Sequence, residues 1–235
     1  MPESGISPGR KDPEGLVRDY GPMVSALARR MLRDPQRARD AAQETWLQVL
    51  KGLPRFRGES AVSTWIYAIA RRVILRQAAR DRIYRFRELS DYFHGEERLA
   101  AEAGDREQGV WVREQCDRCL TGMLHCLSPE ERLTYILREM VELPYPSVAR
   151  IMGKEETAIR KTVSRCRARL ARFLRRECAL ANPASPCRCR MANRLEETDL
   201  PRAWTRLGGL VRRGRIWAMA EAILPRRNEW EKFLP

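Results

Sequence analysis

The 235-residue chain has only two histidines, His94 and His125, a 7% aromatic content and no long uninterrupted apolar run. Each shortage excludes something. Without an apolar stretch of roughly twenty residues no transmembrane helix is expected, and no lipidation signal substitutes for one. Residues Met1–Lys11 are polar, with Pro2, Ser4, Gly5, Ser7, Pro8 and Gly9, so the apolar core of a secretory signal is missing. The expected location is the cytoplasm, where the seven cysteines stay reduced and disulfides are not the default. The His-x-Glu at His94-Gly95-Glu96 has no Pro-Cys-x-x-Cys to complete a zinc-deaminase site and there is no compact carboxylate cluster, so the chain is expected not to be an enzyme. No segment sustains strand alternation, and no internal repeat is present.

Positive charge is abundant. The formal net charge is +14, the pI is near 10, and charged residues make up 32% of the chain. A polyanionic partner is the physical expectation, because cations that neutralise phosphates release condensed counterions.

The apolar pattern is helical throughout, so the expected fold is all-α: two small helical domains joined by a linker, followed by a helical C-terminal extension. A flexible N-terminus covers 1–12 and the first domain 13–87. Within it, Leu16, Tyr20, Val24, Leu27 and Met31 mark one helix face, and Ala38, Ala42, Trp46, Leu47 and Leu50 mark another. Asp34-Pro35 separates them, a cap followed by a proline at the next helix start. Leu53-Pro54 ends the second helix, a polar loop follows over 55–60, and a third helix is predicted from Ser63 to about Arg82. An acidic linker spans 88–108, the second domain 109–177, and the extension 178–235, in which Ala203–Leu224 reads as helical.

The second domain carries the sharpest signal. Ser128-Pro129-Glu130-Glu131 reads as a helix start with Ser at the N-cap, Pro at N1 and Glu at N3. A short helix is predicted over Pro146–Met152, turned by Gly153. From Ala158 to Arg176 there are eight Lys/Arg and no acid, while Ile159, Val163, Cys166, Leu170 and Phe173 form one apolar stripe. A cationic helix seated on two shorter ones is what a helix-turn-helix reader of DNA requires. Arg160, Lys161, Thr162, Ser164 and Arg165 form the expected recognition face, since Arg pairs bidentately with guanine. Arg169 joins this DNA-binding set; like Arg172 and Arg176 it suits phosphate, which positions without specifying.

Both domains together resemble the extracytoplasmic-function (ECF) sigma factors of the bacterial sigma-70 family. The family's acidic-amide stretch stands here as Asp40-Ala41-Ala42-Gln43-Glu44-Thr45-Trp46-Leu47. Its loop stands as Pro54-Arg55-Phe56-Arg57-Gly58, leading to Thr64-Trp65. Ile69-Ala70-Arg71 follows, and the second-domain signature occupies Ser164 to Leu170. The match covers about Leu16–Arg82 and Leu127–Phe173. It departs at Arg72, where Asn is common, at Arg76 or Gln77, where Asp is frequent, and at Pro144, which replaces a capping Ser.

The resemblance implies a function: an alternative sigma factor that binds core RNA polymerase and directs promoter-specific transcription initiation. It implies that Asp40, Gln43, Glu44, Trp46 and Leu47 dock on the beta-prime clamp. Phe56, Arg57, Gly58, Glu59 and Ser60 would capture an unstacked base of the minus-ten element, with Trp65, Arg71 and Arg72 lining the adjacent DNA, a chemistry of aromatic and Arg stacking. The second domain would read the minus-thirty-five element. An anti-sigma factor is a candidate further partner. The competing reading is a conventional helix-turn-helix repressor or activator acting without polymerase; the loop from Phe56 to Trp65 argues against it.

Cys116 and Cys119 form a C-x2-C before the first helix of the second domain, Cys126 follows, and Cys178, Cys187 and Cys189 lie after the basic helix. No cofactor is required by this reading. Cys119, Cys126, Cys178, Cys187 and Cys189 are nevertheless a candidate set for zinc or another thiophilic metal, with His125 a weaker one. Arg188 and Arg190 would lower neighbouring thiol pKa values, so a redox switch is the other use of the same thiols. Cys166 lies on the apolar stripe and reads as core. The tail resembles the cysteine-bearing extensions of some sigma factors.

Overall fold

The computed structural model describes residues 12–84, 121–177 and 184. Among them every regular element is helical and no strand occurs, as the periodicity predicts. Helix α1 covers Pro13–Met31, α2 Pro35–Gly52 and α3 Val62–Ala78, with a 3-10 turn over Leu53–Arg55. Helices α4, α5 and α6 cover Pro129–Glu139, Tyr145–Met152 and Glu156–Glu177. No helix of the described residues is long and apolar enough to cross a membrane.

Two Asp-Pro pairs start the first two helices. The Asp12 carboxylate accepts from the Glu14 N–H, and the Asp34 carboxylate accepts from Gln36 and Arg37 N–H at 2.7 and 3.1 Å. Each satisfies donors the helix cannot, ahead of a proline that has none to satisfy. Those backbone bonds hold the Asp34 carboxyl below its ordinary range. Helix α1 runs on through Pro22, whose ring removes one internal bond.

The chain divides into two compact units. The first joins the described residues through Asp81 with Ile136–Arg160; the second joins those of Arg82–Tyr135 with those from Lys161 onward. In the first, α1, α2 and α3 pack on one another, and α3 also packs on α5. Val24, Met31, Val49, Ile66 and Ile74 are fully enclosed there, each contributing about 1.5–3 kcal/mol of apolar transfer. The buried face of α2 differs from expectation. It is Ala38, Ala41, Ala42, Thr45 and Val49, while Leu47 and Leu50 are 53% and 38% exposed. Small side chains let α2 approach its neighbours closely, which turns the leucines outward.

Helix α3 stops at Ala78, short of the expected Arg82. Arg37 reaches across from α2, donating to the Gln77 carbonyl and pairing with the Asp81 carboxylate at 2.7 Å, so the last turn is closed from outside. In the second unit, Met123, Leu124, Leu127, Leu133, Val163, Cys166 and Leu170 are buried around Arg132, which has no exposed surface. Its guanidinium donates to the carbonyls of Leu124 and Leu127 at 3.3 and 3.4 Å. A buried cation is tolerated when carbonyls replace its water.

Candidate functional site

The turns flanking α5 position α6. The chain leaves α4 through Glu142 in the left-handed region at φ 59°, with Leu143 N–H donating to Leu137 O. Pro144 precedes α5 without a side-chain cap, consistent with the missing serine. Helix α5 ends in Gly153 at φ 64°, a conformation glycine adopts without strain, and Lys154 N–H closes on Ala149 O. Glu155 O then accepts from Ala158 and Ile159 N–H, starting α6.

Along α6 the expected stripe holds. Ile159, Val163, Cys166, Leu170 and Phe173 are buried. Arg160, Lys161, Ser164, Arg165, Arg169, Arg172 and Arg176 are exposed, and Thr162 is half-buried. Arg160 is held in place: Glu156 Oε1 accepts from its Nε at 2.8 Å and its Nη2 at 2.5 Å, and its guanidinium carbon lies 4.1 Å from the centroid of the Tyr145 ring. The Glu156–Arg160 spacing of four was legible as a helical ion pair. The role of Tyr145 was not, because the ring reaches Arg160 from another helix.

Arg169 is engaged inward. Its Nη1 donates to Cys126 O and lies 3.3 Å from Glu131 Oε2. Glu131 in turn accepts from both the N–H and the hydroxyl of Ser128 at 3.0 Å, the reciprocal cap expected of Ser-Pro-Glu-Glu. Partial burial raises the Glu131 pKa, but the Ser128 hydrogen bonds and the Arg169 and Arg165 charges outweigh it and leave it below the ordinary value. Arg169 thereby braces the start of α4 while offering the rest of its fork to solvent.

In the first unit, α2 presents Asp40, Gln43 and Leu47 outward along one stripe, with Leu50 continuing it; Glu44 and Trp46 are half-buried. Glu44 accepts from Gln48 at 2.8 Å and lies 3.7 Å from Arg76. The Phe56 ring of the following loop meets the Trp65 ring of α3 at 4.8 Å between centroids, tilted by 32°. The Trp65 ring lies so near Gly52 that a Cβ there would stand 3.1 Å from it, so the glycine permits the close approach. Arg57, Gly58 and Glu59 are exposed, Ser60 is half-buried, and Gly58 takes φ 75°. Arg72 is exposed, whereas Arg71 is half-buried, with Nη1 near Gly153.

Of the candidate metal ligands, Cys119, Cys178, Cys187 and Cys189 lie outside the described residues, as do Cys116 and His94. Cys126 and Cys166 are buried free thiols, and burial pushes both up to about 12. Both are therefore protonated at neutral pH, and neither Arg169 nor Arg132 offsets that burial at Cys126. His125 is enclosed in the same core. Among the described residues no group of three or more His, Cys, Asp or Glu is placed to hold a metal.

This arrangement, a three-helix unit with an exposed acidic-apolar stripe and a helix-turn-helix with a cationic outer face, is that of a transcription initiation factor. Residues 16–83 match the model of Sigma-70 region 2, and residues 117–170 that of Sigma-70, region 4. The chain is similar to the RNA polymerase sigma factor YlaC of Bacillus subtilis, 31% identical over 157 residues covering 67% of this chain and 88% of that protein. It is 28% identical to the RNA polymerase sigma-H factor of Pseudomonas aeruginosa, covering 65% of this chain and 80% of the relative. Identity is also 28% to the ECF RNA polymerase sigma factor SigM of Mycobacterium tuberculosis, over 68% of this chain and 75% of the relative. The chain belongs to the sigma-70 family, in its ECF group, and is an alternative sigma factor that binds RNA polymerase and DNA to initiate transcription.

Proposed function

We propose that the two sequence domains divide promoter recognition as the family motifs imply. Residues 13–87 engage the beta-prime clamp of core polymerase through Asp40, Gln43, Glu44, Trp46 and Leu47, and read the minus-ten element with Phe56–Ser60, Trp65, Arg71 and Arg72. Residues 109–177 read the minus-thirty-five element with Arg160, Lys161, Thr162, Ser164 and Arg165, while Arg169 reaches phosphate. Residues 88–108 link the two, and 178–235 form a regulatory extension. The chain acts in the cytoplasm without enzymatic chemistry of its own.

The observation that carries this reading is the exposed stripe on α2. Asp40, Gln43 and Leu47 face solvent although Leu47 and Leu50 are large and apolar. A helix-turn-helix repressor needs no such surface, whereas a polymerase-docking helix does. Phe56 and Trp65 pack ring against ring at a tilt of 32°, an aromatic pair suited to an unstacked base.

Run-off transcription with purified core polymerase on fragmented genomic DNA tests the reading. A promoter-dependent product that disappears with Leu47→Asp is expected. Sequence-specific DNA binding by the chain alone, with no product on adding core, would favour the repressor reading instead. Binding should also fall steeply with salt, by about 10³-fold or more between 50 and 200 mM if some six phosphates are neutralised.

The candidate thiophilic metal and an anti-sigma partner are further parts of this proposal. Metal analysis of the purified chain addresses the first. For Cys126 to join Cys119, Cys178, Cys187 and Cys189 as a ligand, it must leave its buried, protonated state.

A further inference from the structure

Tyr145 is the first residue of α5, and two guanidinium groups lie over its ring: Arg138 of α4 at 4.8 Å and Arg160 of α6 at 4.1 Å from the centroid. Three successive helices of the helix-turn-helix therefore meet at one aromatic side chain. Arg160 is fixed in two directions. The ring holds the guanidinium over its face, because a cation prefers the electron-rich face. Glu156 fixes its rotation there, because one carboxylate oxygen accepts from both Nε and Nη2.

A guanidinium has two edges able to make paired hydrogen bonds. Glu156 takes the side edge, Nε with Nη2. The end edge, Nη1 with the second hydrogen of Nη2, remains to meet the O6 and N7 acceptors of a guanine. Arg160 is exposed in the first turns of α6, the part of a recognition helix that enters the major groove. Lys161 and Arg165 are exposed on the same helix.

We propose that Tyr145 is a specificity-positioning residue: with Glu156 it holds Arg160 so that its end edge reads a single guanine in the upstream promoter element. This rests on the reading of α6 as the minus-thirty-five reader. Arg160 is the residue that touches the base, and Tyr145 acts through it. A side chain already ordered loses less freedom on binding, so the ring contributes to discrimination without touching DNA.

The test uses the full chain assembled with core polymerase and a randomised double-stranded DNA library, scoring base preference at every upstream position. Arg160→Ala should flatten one guanine preference by roughly tenfold. Tyr145→Ala and Tyr145→Leu should weaken preference at that same position by about three- to fivefold. Tyr145→Phe, which keeps the ring face, should retain it. The double variant Y145A/R160A should be no worse than R160A. Leucine guards against a folding defect, since it keeps apolar bulk while removing the aromatic face.

If R160A flattens a position that Y145A and Y145L leave intact, the inference is overturned and the reading of α6 survives. Loss that is uniform across all sequences, with the salt slope reduced by about one, would make Arg160 a phosphate contact and overturn it as well. If R160A changes no base preference, the assignment of Arg160 as a reader fails, and this inference fails with it.

Discussion

The α1–α3 region and the helix-turn-helix region are both helical and both touch nucleic acid in the proposed function, yet they place their polar groups differently. In α1–α3 the long-range polar contacts lie at the end of α3, where a half-buried Arg37 meets the largely enclosed Asp81 carboxylate and Gln77 O, and on the surface, where Arg76 lies 3.7 Å from Glu44. The buried Thr45 hydroxyl only returns to Ala41 O of its own helix. In the helix-turn-helix region one cation lies in the core and a partly exposed network flanks it. Arg132 is enclosed and bonded to two carbonyls, and Glu131 links Ser128, Arg169 and, through its own carbonyl, the Cys166 thiol. The first region can vary at its surface without disturbing its core. The second must keep a charge network intact for its cationic helix to stay seated.

Arg132→Ala is the strongest way to break this contrast. It removes the Arg132 donor from Leu127 O, while Leu124 O keeps the Leu127 N–H, and it opens a cavity inside the core, at a cost of about 3 kcal/mol. Thr45→Val in α2 should cost under about 1 kcal/mol, because Ala41 O keeps its helical donor. Chemical denaturation of both variants measures the difference; equal losses would erase the contrast between the regions.

The left-handed turns on either side of α5 give a mid-sized pair of opposite sign. Gly153→Ala places a Cβ at φ 64° and should destabilise by about 1 kcal/mol, whereas Glu142→Gly relieves a similar conformation and should stabilise by about the same amount. Thermal melts should move in opposite directions for the two.

The smallest effect is pH-dependent. Glu131 has a folded pKa below its ordinary value, so its contribution is present above that value and disappears as pH falls through the lowered one. Glu131→Gln should therefore cost about 1 kcal/mol near neutrality, and the gap to the parent should close below about pH 4. A gap independent of pH would mean that the cap acts by shape alone.

Much of this was readable from local pattern. Asp34-Pro35, Ser128-Pro129-Glu130-Glu131 and Gly153 located helix ends because a cap needs only neighbours three or four residues away. The stripe from Ile159 to Phe173 was readable for the same reason, and the order of motifs identified the sigma-70 family. Other features depend on residues far apart in the chain. Which face of α2 is buried follows from the close approach of its alanines to α1 and α3, so Leu47 and Leu50 end outside. The early stop of α3 depends on Arg37, some forty residues earlier. The buried Arg132 and the seating of Arg160 on Tyr145 likewise require helices that meet only after folding. Helix boundaries and charge are local properties of the chain, and its amino acids decide them directly. Burial and the aim of a side chain depend on what packs beside it, and tertiary structure alone supplies that.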